Sequence, residues 1–172
     1  MRELIGDYDS FVANINGGLD RCRIRLGRLS MLDHLCYRVE TNEDFVRMKG
    51  ELGKRAFLLD ESEVSGRLIA TFAFDQPLAT GGWQIPYLEL PQPKEGSPYP
   101  EGLEHAEFVV LGGLDRFKAT HPFLPFDEKG LEKLINPELG LKYEGISVKF
   151  HELQLGAVCG IEQRLRDAGI RL

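Results

Sequence analysis

The sequence is poor in the features that mark several protein classes. Its three cysteines, Cys22, Cys36 and Cys159, are far apart and odd in number, and no Cys-x-x-Cys pair occurs. Such a count cannot build a disulfide framework, so reduced thiols in a cytoplasmic protein are the expectation. No apolar run approaches the ~20 residues a membrane-spanning helix needs. There is no excess of basic residues: 21 Lys and Arg stand against 27 Asp and Glu, a net charge of −6. That balance argues against a protein that grips nucleic-acid phosphates. The opening MRELIGDYDS carries acidic residues early and no apolar core of a secretion signal. Walker A, GxGxxG after a strand, GxSxG and HExxH are all missing.

What is present is a globular core. Hydrophobic residues make up 42% of 172 positions, enough for one domain or two small pseudo-repeated halves. Leu4, Ile5, Tyr8, Phe11, Val12 and Ile15 share one helical stripe, and Gly17-Gly18 is expected to end that helix. A short helical piece is expected in LDRCRIRLGR, then a strand in SMLDHLCYRVE. Thr41 with Asp44 resembles a capping box opening a helix whose apolar face is Phe45, Met48 and Leu52. Three strands follow, AFLLDESEV, GRLIATFAF and WQIPYLEL, with turns at Ser65-Gly66 and ATGG. Pro86 inside the third strand marks an edge or a bulge. The Pro- and Gly-rich tract 91–102 is a linker. Beyond it lie the strand LEHAEFVVL, an irregular helix and loop, and a hairpin turning at Glu144-Gly145. A final helix follows, with Leu155, Val158, Ile161 and Leu165 on one face.

Two strands repeat each other. LDHLCYRV (Leu32 to Val39) and LEHAEFVV (Leu103 to Val110) both read Leu, acid, His, two variable residues, aromatic, one variable residue, Val. The copies are 71 residues apart, and each opens a block that ends in further strands. Halves related by a local twofold would bring His34 and His105 towards each other near the axis. Alternation sets His34, Cys36 and Arg38 on one face, and His105, Glu107 and Val109 on another. It also groups Ile85, Tyr87 and Glu89, and groups Ser147, Lys149 and His151. Two imidazoles and a carboxylate form a set that suits a divalent ion, Zn, Ni, Mn or Fe, with positions left open for water or substrate. Asp33 and Glu104 precede the histidines and are expected to point to the opposite face. Arg38 or Lys149 could hold a substrate carboxylate or enolate oxygen.

DHLCYR, WQIPYLELPQP, YPEGLEHAEFVV, INPELGL and ISVKFHEL together resemble the YecM family, within the vicinal oxygen chelate superfamily of glyoxalase I and the extradiol dioxygenases. The resemblance runs from about residue 30 to about residue 155. It implies an α+β fold in which two βαβββ modules form a cupped mixed sheet around a metal. The corresponding division is an N-terminal helical segment (1–29), a first module (30–92), a linker (93–102), a shortened second module (103–152) and a C-terminal helix (153–172). Ligands carried over by position are His34, Glu89 and His105. The fourth comes from the last strand of the second module. A Glu is usual there; here Lys149 and His151 compete for the position, and His151 is favoured because a neutral-pH lysine is a poor ligand. His105 and His151 are 46 residues apart and His34 and Glu89 are 55 apart, so a strand or most of a helix is expected to be missing from the second module.

Several residues have two readings. Glu107 is either a cross-strand ion-pair partner of Arg38 or a catalytic base. Tyr87 and Trp83 wall a ligand pocket or belong to the core. Cys36 reads as a small buried residue, and His121 as a solvent-exposed loop residue. Three functions follow from different classes. The first is a divalent-metal protein, working as an isomerase, lyase or dioxygenase on a small oxygenated substrate. The second is a non-catalytic module binding a small ligand in the same cup. The third is a metal-free structural or interaction protein. The expected partner is a small molecule, not nucleic acid or a membrane, and a monomer suffices because both modules lie in one chain.

Overall fold

The N-terminal stripe folds as two helices, α1 (Arg2–Ile5) and α2 (Tyr8–Arg21), in a computed structural model that describes residues 1–64, 66–94, 96, 99–143 and 145–170. The turn expectations at Ser65 and Glu144, and Glu95, Ser97 and Pro98 of the linker, lie outside the described residues. Gly6, at φ 80°, breaks the stripe, and Asp7 caps α2 by accepting from the Ser10 amide at 3.2 Å. Contrary to expectation, α2 continues through Gly17-Gly18. The reason is packing. A Cβ on Gly18 would stand 2.2 Å from Cγ2 of Ile146, so only glycine lets this helix lie so close to the strand. We expect Gly18→Ala to lower stability by roughly 1–2 kcal/mol, because the overpacking outweighs the gain in helix propensity. Thermal unfolding checks this, and an unchanged or raised midpoint would refute the close approach.

The strands are β1 (Leu29–Arg38), β2 (Phe57–Val64), β3 (Arg67–Thr80), β4 (Trp83–Pro91), β5 (Gly102–Val110), β6 (Glu138–Tyr143) and β7 (Ile146–His151). Helices α3 (Asn42–Leu52), α4 (Leu114–Ala119) and α5 (Leu155–Asp167) complete the chain. Thr41 caps α3, its hydroxyl oxygen accepting from the Asp44 amide at 3.0 Å. Among the described residues the strands form one seven-stranded sheet of order β2-β3-β4-β1-β5-β7-β6. Each block ends with a strand lying parallel to its first: β4 beside β1, and β7 beside β5. The blocks join through the antiparallel β1–β5 pair.

The second block is βαββ. Where the counterpart of β2 would lie, residues 120–137 pair with the sheet through one isolated bridge, Asp127↔Gly140. Its helix is also short, with six residues in α4 against eleven in α3. The second block thus has one strand fewer than the first, and its helix is about half as long.

One face of the sheet carries Leu35, Leu88, Leu90, Ala106, Phe108, Val148 and Phe150, packed in one core with residues of α2, α3 and α4. Pro86 sits at a bulge in a central strand, not at an edge. The ladder steps from Ala73↔Tyr87 to Leu78↔Ile85 around it. That shift reverses the alternation in β4. Trp83 and Ile85 join the helix side, with Trp83 edge-on to Phe108 and its Nε1 donating to Asn16 at 3.0 Å. Trp83 therefore packs against the core, and Tyr87 and Glu89 lie on the opposite face of the sheet. No helix among the described residues is long and apolar enough to cross a membrane.

Candidate metal centre

The β1–β5 register builds the site. Leu35↔Ala106 is its centre, flanked by His34↔Glu107 and Cys36↔His105. This is a local twofold that carries each residue of the first copy onto the residue 71 positions later. The two histidines are thus diagonal, not opposed. The carboxylate of Glu107 lies between them, with Oε1 3.4 Å from His34 Nε2 and 3.0 Å from His105 Nε2. Lys149 Nζ reaches the same oxygen at 2.8 Å, and His151 Nε2 stands 3.6 Å from Oε2. Glu107 is therefore the hub of the cluster. The expected partner, Arg38, is engaged elsewhere: its Nε donates to Glu104 at 2.9 Å, and its guanidinium lies 4.3 Å from the centre of the Tyr99 ring.

Asp33 and Glu104 correct the alternation argument. Between Leu32↔Phe108 and His34↔Glu107 the first strand has one residue too many, Asp33. Between Cys36↔His105 and Tyr37↔Leu103 the other strand has one too many, Glu104. These twofold-related bulges turn each acid back to its own histidine. Asp33 Oδ2 accepts from His34 Nδ1 at 2.9 Å, and Glu104 Oε2 from His105 Nδ1 at 2.6 Å. A carboxylate on Nδ1 fixes the ring and aims Nε2 inward, the usual arrangement behind a metal-bound imidazole. The sequence did carry this signal, as an acid immediately before the histidine in both copies.

Parallel pairing sets the outer positions. Cys36↔Glu89 and Glu107↔Lys149 are twofold-related pairs, so Lys149 is the counterpart of Glu89. His151, favoured from the sequence, lies two residues further along, paired with Val109, and its ring stacks on His34 with centroids 5.9 Å apart. His121, expected in solvent, is buried, with Nδ1 donating to the Phe117 carbonyl at 2.8 Å.

Charges are concentrated here. Burial alone would pull His34 down, but Glu107, Glu89 and Asp33 outweigh it and raise its pKa to about 10. His105 is buried too, yet Cys36, Glu104 and Glu107 push its pKa up. Glu107 is held well below the usual carboxylate range: His34, Lys149 and His105 overcome the cost of its burial. Burial is likewise overcome at Glu104, which His105 and Arg38 lower to about 2. In His151 burial wins and the pKa falls.

The buried side-chain atoms left without a hydrogen-bond partner include His34 Nε2 and both ring nitrogens of His151. His34 Nε2 faces two carboxylates, Glu107 at 3.4 Å and Glu89 at 3.8 Å, while its other nitrogen already donates to Asp33. Three acceptors around one point repel unless a cation stands among them, either a proton on Nε2 or a metal ion. Ligand atoms bonded to one ion at ~2.0–2.2 Å stand roughly 3.0–3.6 Å apart, so the set is close to that spacing. His34, Glu89 and Glu107 have ligand atoms within 4.8 Å of one another, as do Cys36, Glu89 and His105, and Asp33, His34 and His151. The donor chemistry fits a divalent ion. In direct contact, five carboxylates (Asp33, Glu89, Glu104, Glu107, Glu138) face three fixed cations (Arg38, Lys133, Lys149). The remaining two negative charges are met by two imidazolium protons or by one divalent cation.

Helix α5 covers part of this face. Its first amide, Leu155 N, donates to Asp33 Oδ2 at 2.9 Å, and Arg166 bonds Asp60 of β2 at 2.6 Å. A Cβ on Gly156 would meet the Tyr87 hydroxyl at 2.3 Å, so Tyr87 lies beneath the helix, not in an open pocket. One oxygen of Asp33 thus both caps α5 and orients His34. Asp33→Ala should speed amide exchange in the first turn of α5 and weaken metal binding by about 10–100-fold. Exchange that stays at the wild-type rate in α5 would refute the shared anchor.

Comparison with known proteins decides the family. The YecM protein family profile matches residues 1–128. The chain belongs to the YecM family. Protein YecM of Escherichia coli (strain K12) is 26% identical over 178 aligned residues, covering 95% of this chain and 94% of that one. A solved structural-genomics protein is 27% identical, with TM-score 0.67, over 92% of this chain and 94% of its own. A methylmalonyl-CoA epimerase, solved in complex with methylmalonyl-CoA and NH4+, gives TM-score 0.53 at 16% identity over 74% of this chain and 96% of its own. This YecM-family chain therefore has the vicinal oxygen chelate fold, a mixed α+β cup of the glyoxalase and epimerase kind. The match includes the N-terminal helices, which the sequence motifs did not reach.

Proposed function

We propose that the cup binds a divalent ion (Zn, Ni, Mn or Fe) on His34, Glu89 and Glu107, and that it acts on a small oxygenated molecule as a metal-dependent isomerase, lyase or dioxygenase. One observation carries this reading: the unpartnered Nε2 of His34 is aimed between two carboxylates. When bound, the ion would polarise a carbonyl or enediolate oxygen. The chain's own groups supply the rest. Asp33 holds the His34 ring, and the ring of His151 lies against it. His105 is held by Glu104 and hydrogen-bonded to Glu107, so it is placed to give or take a proton beside the reacting oxygen. Lys149, with a side chain 32% exposed, stands on the accessible side, where its ammonium can receive a substrate carboxylate or enolate. Burial opposes its charge, but Glu107, Glu138 and Glu89 outweigh burial and keep it protonated. The three cysteines are free and buried, in keeping with a reducing cytoplasm.

The position of Lys149 favours a second reading. A lysine stands at the twofold counterpart of Glu89, so a cation built into the chain takes part of the charge an ion would take. In that form the cup is a non-catalytic module for a small anionic ligand. Metal analysis of untagged protein separates the two. Stoichiometric metal in wild type, lost in His34→Ala, supports the first. No metal in any preparation, with unchanged thermal stability on adding Ni, Zn or Mn, refutes it. Product release from a small carbonyl substrate then distinguishes turnover from binding.

A further inference from the structure

A second polar site lies outside the cup, where α2 ends. The chain there carries Arg21, Arg23, Arg25 and Arg28 within eight residues. The helix closes with the Arg23 amide donating to the Asp20 carbonyl at 2.8 Å and the Ile24 amide to the Leu19 carbonyl at 2.9 Å. This closure turns the residue after the cap left-handed, a position that favours glycine. Here it is Arg23, at φ 59°. Cys22 and Ile24 are buried, so the alternate residues Arg23 and Arg25 project outward together. The 3₁₀ turn Leu26–Arg28 then brings Arg28 to the same place.

The three arginines line a cavity of about 210 Å³ with Thr120, His121 and Phe123 from the loop after α4. The Phe117 carbonyl fixes the opposite wall, accepting from Thr120 Oγ1 and from His121 Nδ1, each at 2.8 Å. Among the described residues, Arg23, Arg25 and Arg28 have no ion-pair or hydrogen-bonding partner for their guanidinium groups. Three like charges held together repel, and no carboxylate among the described residues pairs with them, although the net charge of the chain is −6. Guanidinium groups are suited to phosphate oxygens, which they grip through paired N–H donors. The volume is below the ~300–1,000 Å³ of a pocket enclosing a whole ligand, and it suits one charged group. Phe123, 59% exposed, offers an apolar rest for what that group is attached to.

We propose that Arg23, Arg25 and Arg28, with Thr120 and His121, form a binding site for the phosphate or diphosphate group of a small molecule. The site is independent of any metal in the cup. The arginine at a glycine-favouring position gives a clean test. Arg23→Gly removes a guanidinium while relieving the backbone, so its thermal stability should equal or exceed that of wild type. Calorimetric titration of the full chain with inorganic pyrophosphate, at fixed ionic strength and with a chelator present, should show binding to wild type. Arg23→Gly and Arg25→Gln should each weaken it by about tenfold or more. Lys149→Gln, in the cup, should leave it unchanged. The proposal is overturned if Arg23→Gly binds as wild type does, if only Lys149→Gln loses binding, or if sodium chloride at the same ionic strength suppresses the signal entirely.

Discussion

Chelator-treated protein titrated with Ni or Zn at pH 8 should gain thermal stability and release protons as each ion binds. With free metal at about 100 times Kd the gain is about 2.7 kcal/mol, which for a chain of this size raises Tm by roughly 5–10 °C. The proton release follows from the competition at His34. Its folded pKa is raised to about 10, so at pH 8 the metal-free ring is an imidazolium. A metal ligand must be neutral, so binding displaces that proton. His105 is also pushed up, so between one and two protons should leave per ion, and apparent affinity should rise by up to about tenfold per pH unit for each proton displaced. Glu107→Ala and His34→Ala should abolish both the stabilisation and the proton release. Binding with no proton release would place the metal somewhere other than against His34.

Glu107→Gln should be the most damaging single substitution in the metal-free protein. The carboxylate is the shared counter-charge of His34, His105 and Lys149. Its removal leaves the buried cations with only part of their counter-charge, and we expect a loss of about 3–5 kcal/mol near pH 6. The pH dependence identifies the cause. A pKa raised from 6.5 to about 10 means that the stability from His34 is fully present below about pH 6.5 and is lost as pH rises towards 10. Glu107 is shifted the other way, so its contribution is present above its unfolded pKa, ~4.3, and is lost as pH falls through its depressed folded value. The gap between wild type and variant should therefore be widest between about pH 5 and pH 6.5 and close on both sides. Urea unfolding across pH 3–10 measures this. A gap that stays constant across that range would mean the substitution acts through packing alone.

The proposed metal would compete with protons for the same atoms. Raising the pH from about 6.5 to 10 should weaken the metal-free fold and strengthen the binding of the proposed metal. A metal-free ion-pair protein would show only the first effect.

Much of this was determined by the sequence itself. The repeat of acid-His strands 71 residues apart pointed to two related halves, and the shorter spacing in the second half pointed to a reduced module. Residue type and alternation grouped His34 with Cys36 and His105 with Glu107, because side-chain direction in a regular strand is local. Only the tertiary structure decided what faces what. The β1–β5 register put Glu107, not His105, opposite His34, and gave Arg38 to Glu104 instead of Glu107. The bulges at Asp33 and Glu104, and the shift at Pro86, broke the period of two where local reasoning assumed it. The pairing of β7 with β5 made Lys149, and not His151, the positional counterpart of Glu89. Register and bulges are set by how whole strands meet across long sequence separations, and no short window of residues contains that information.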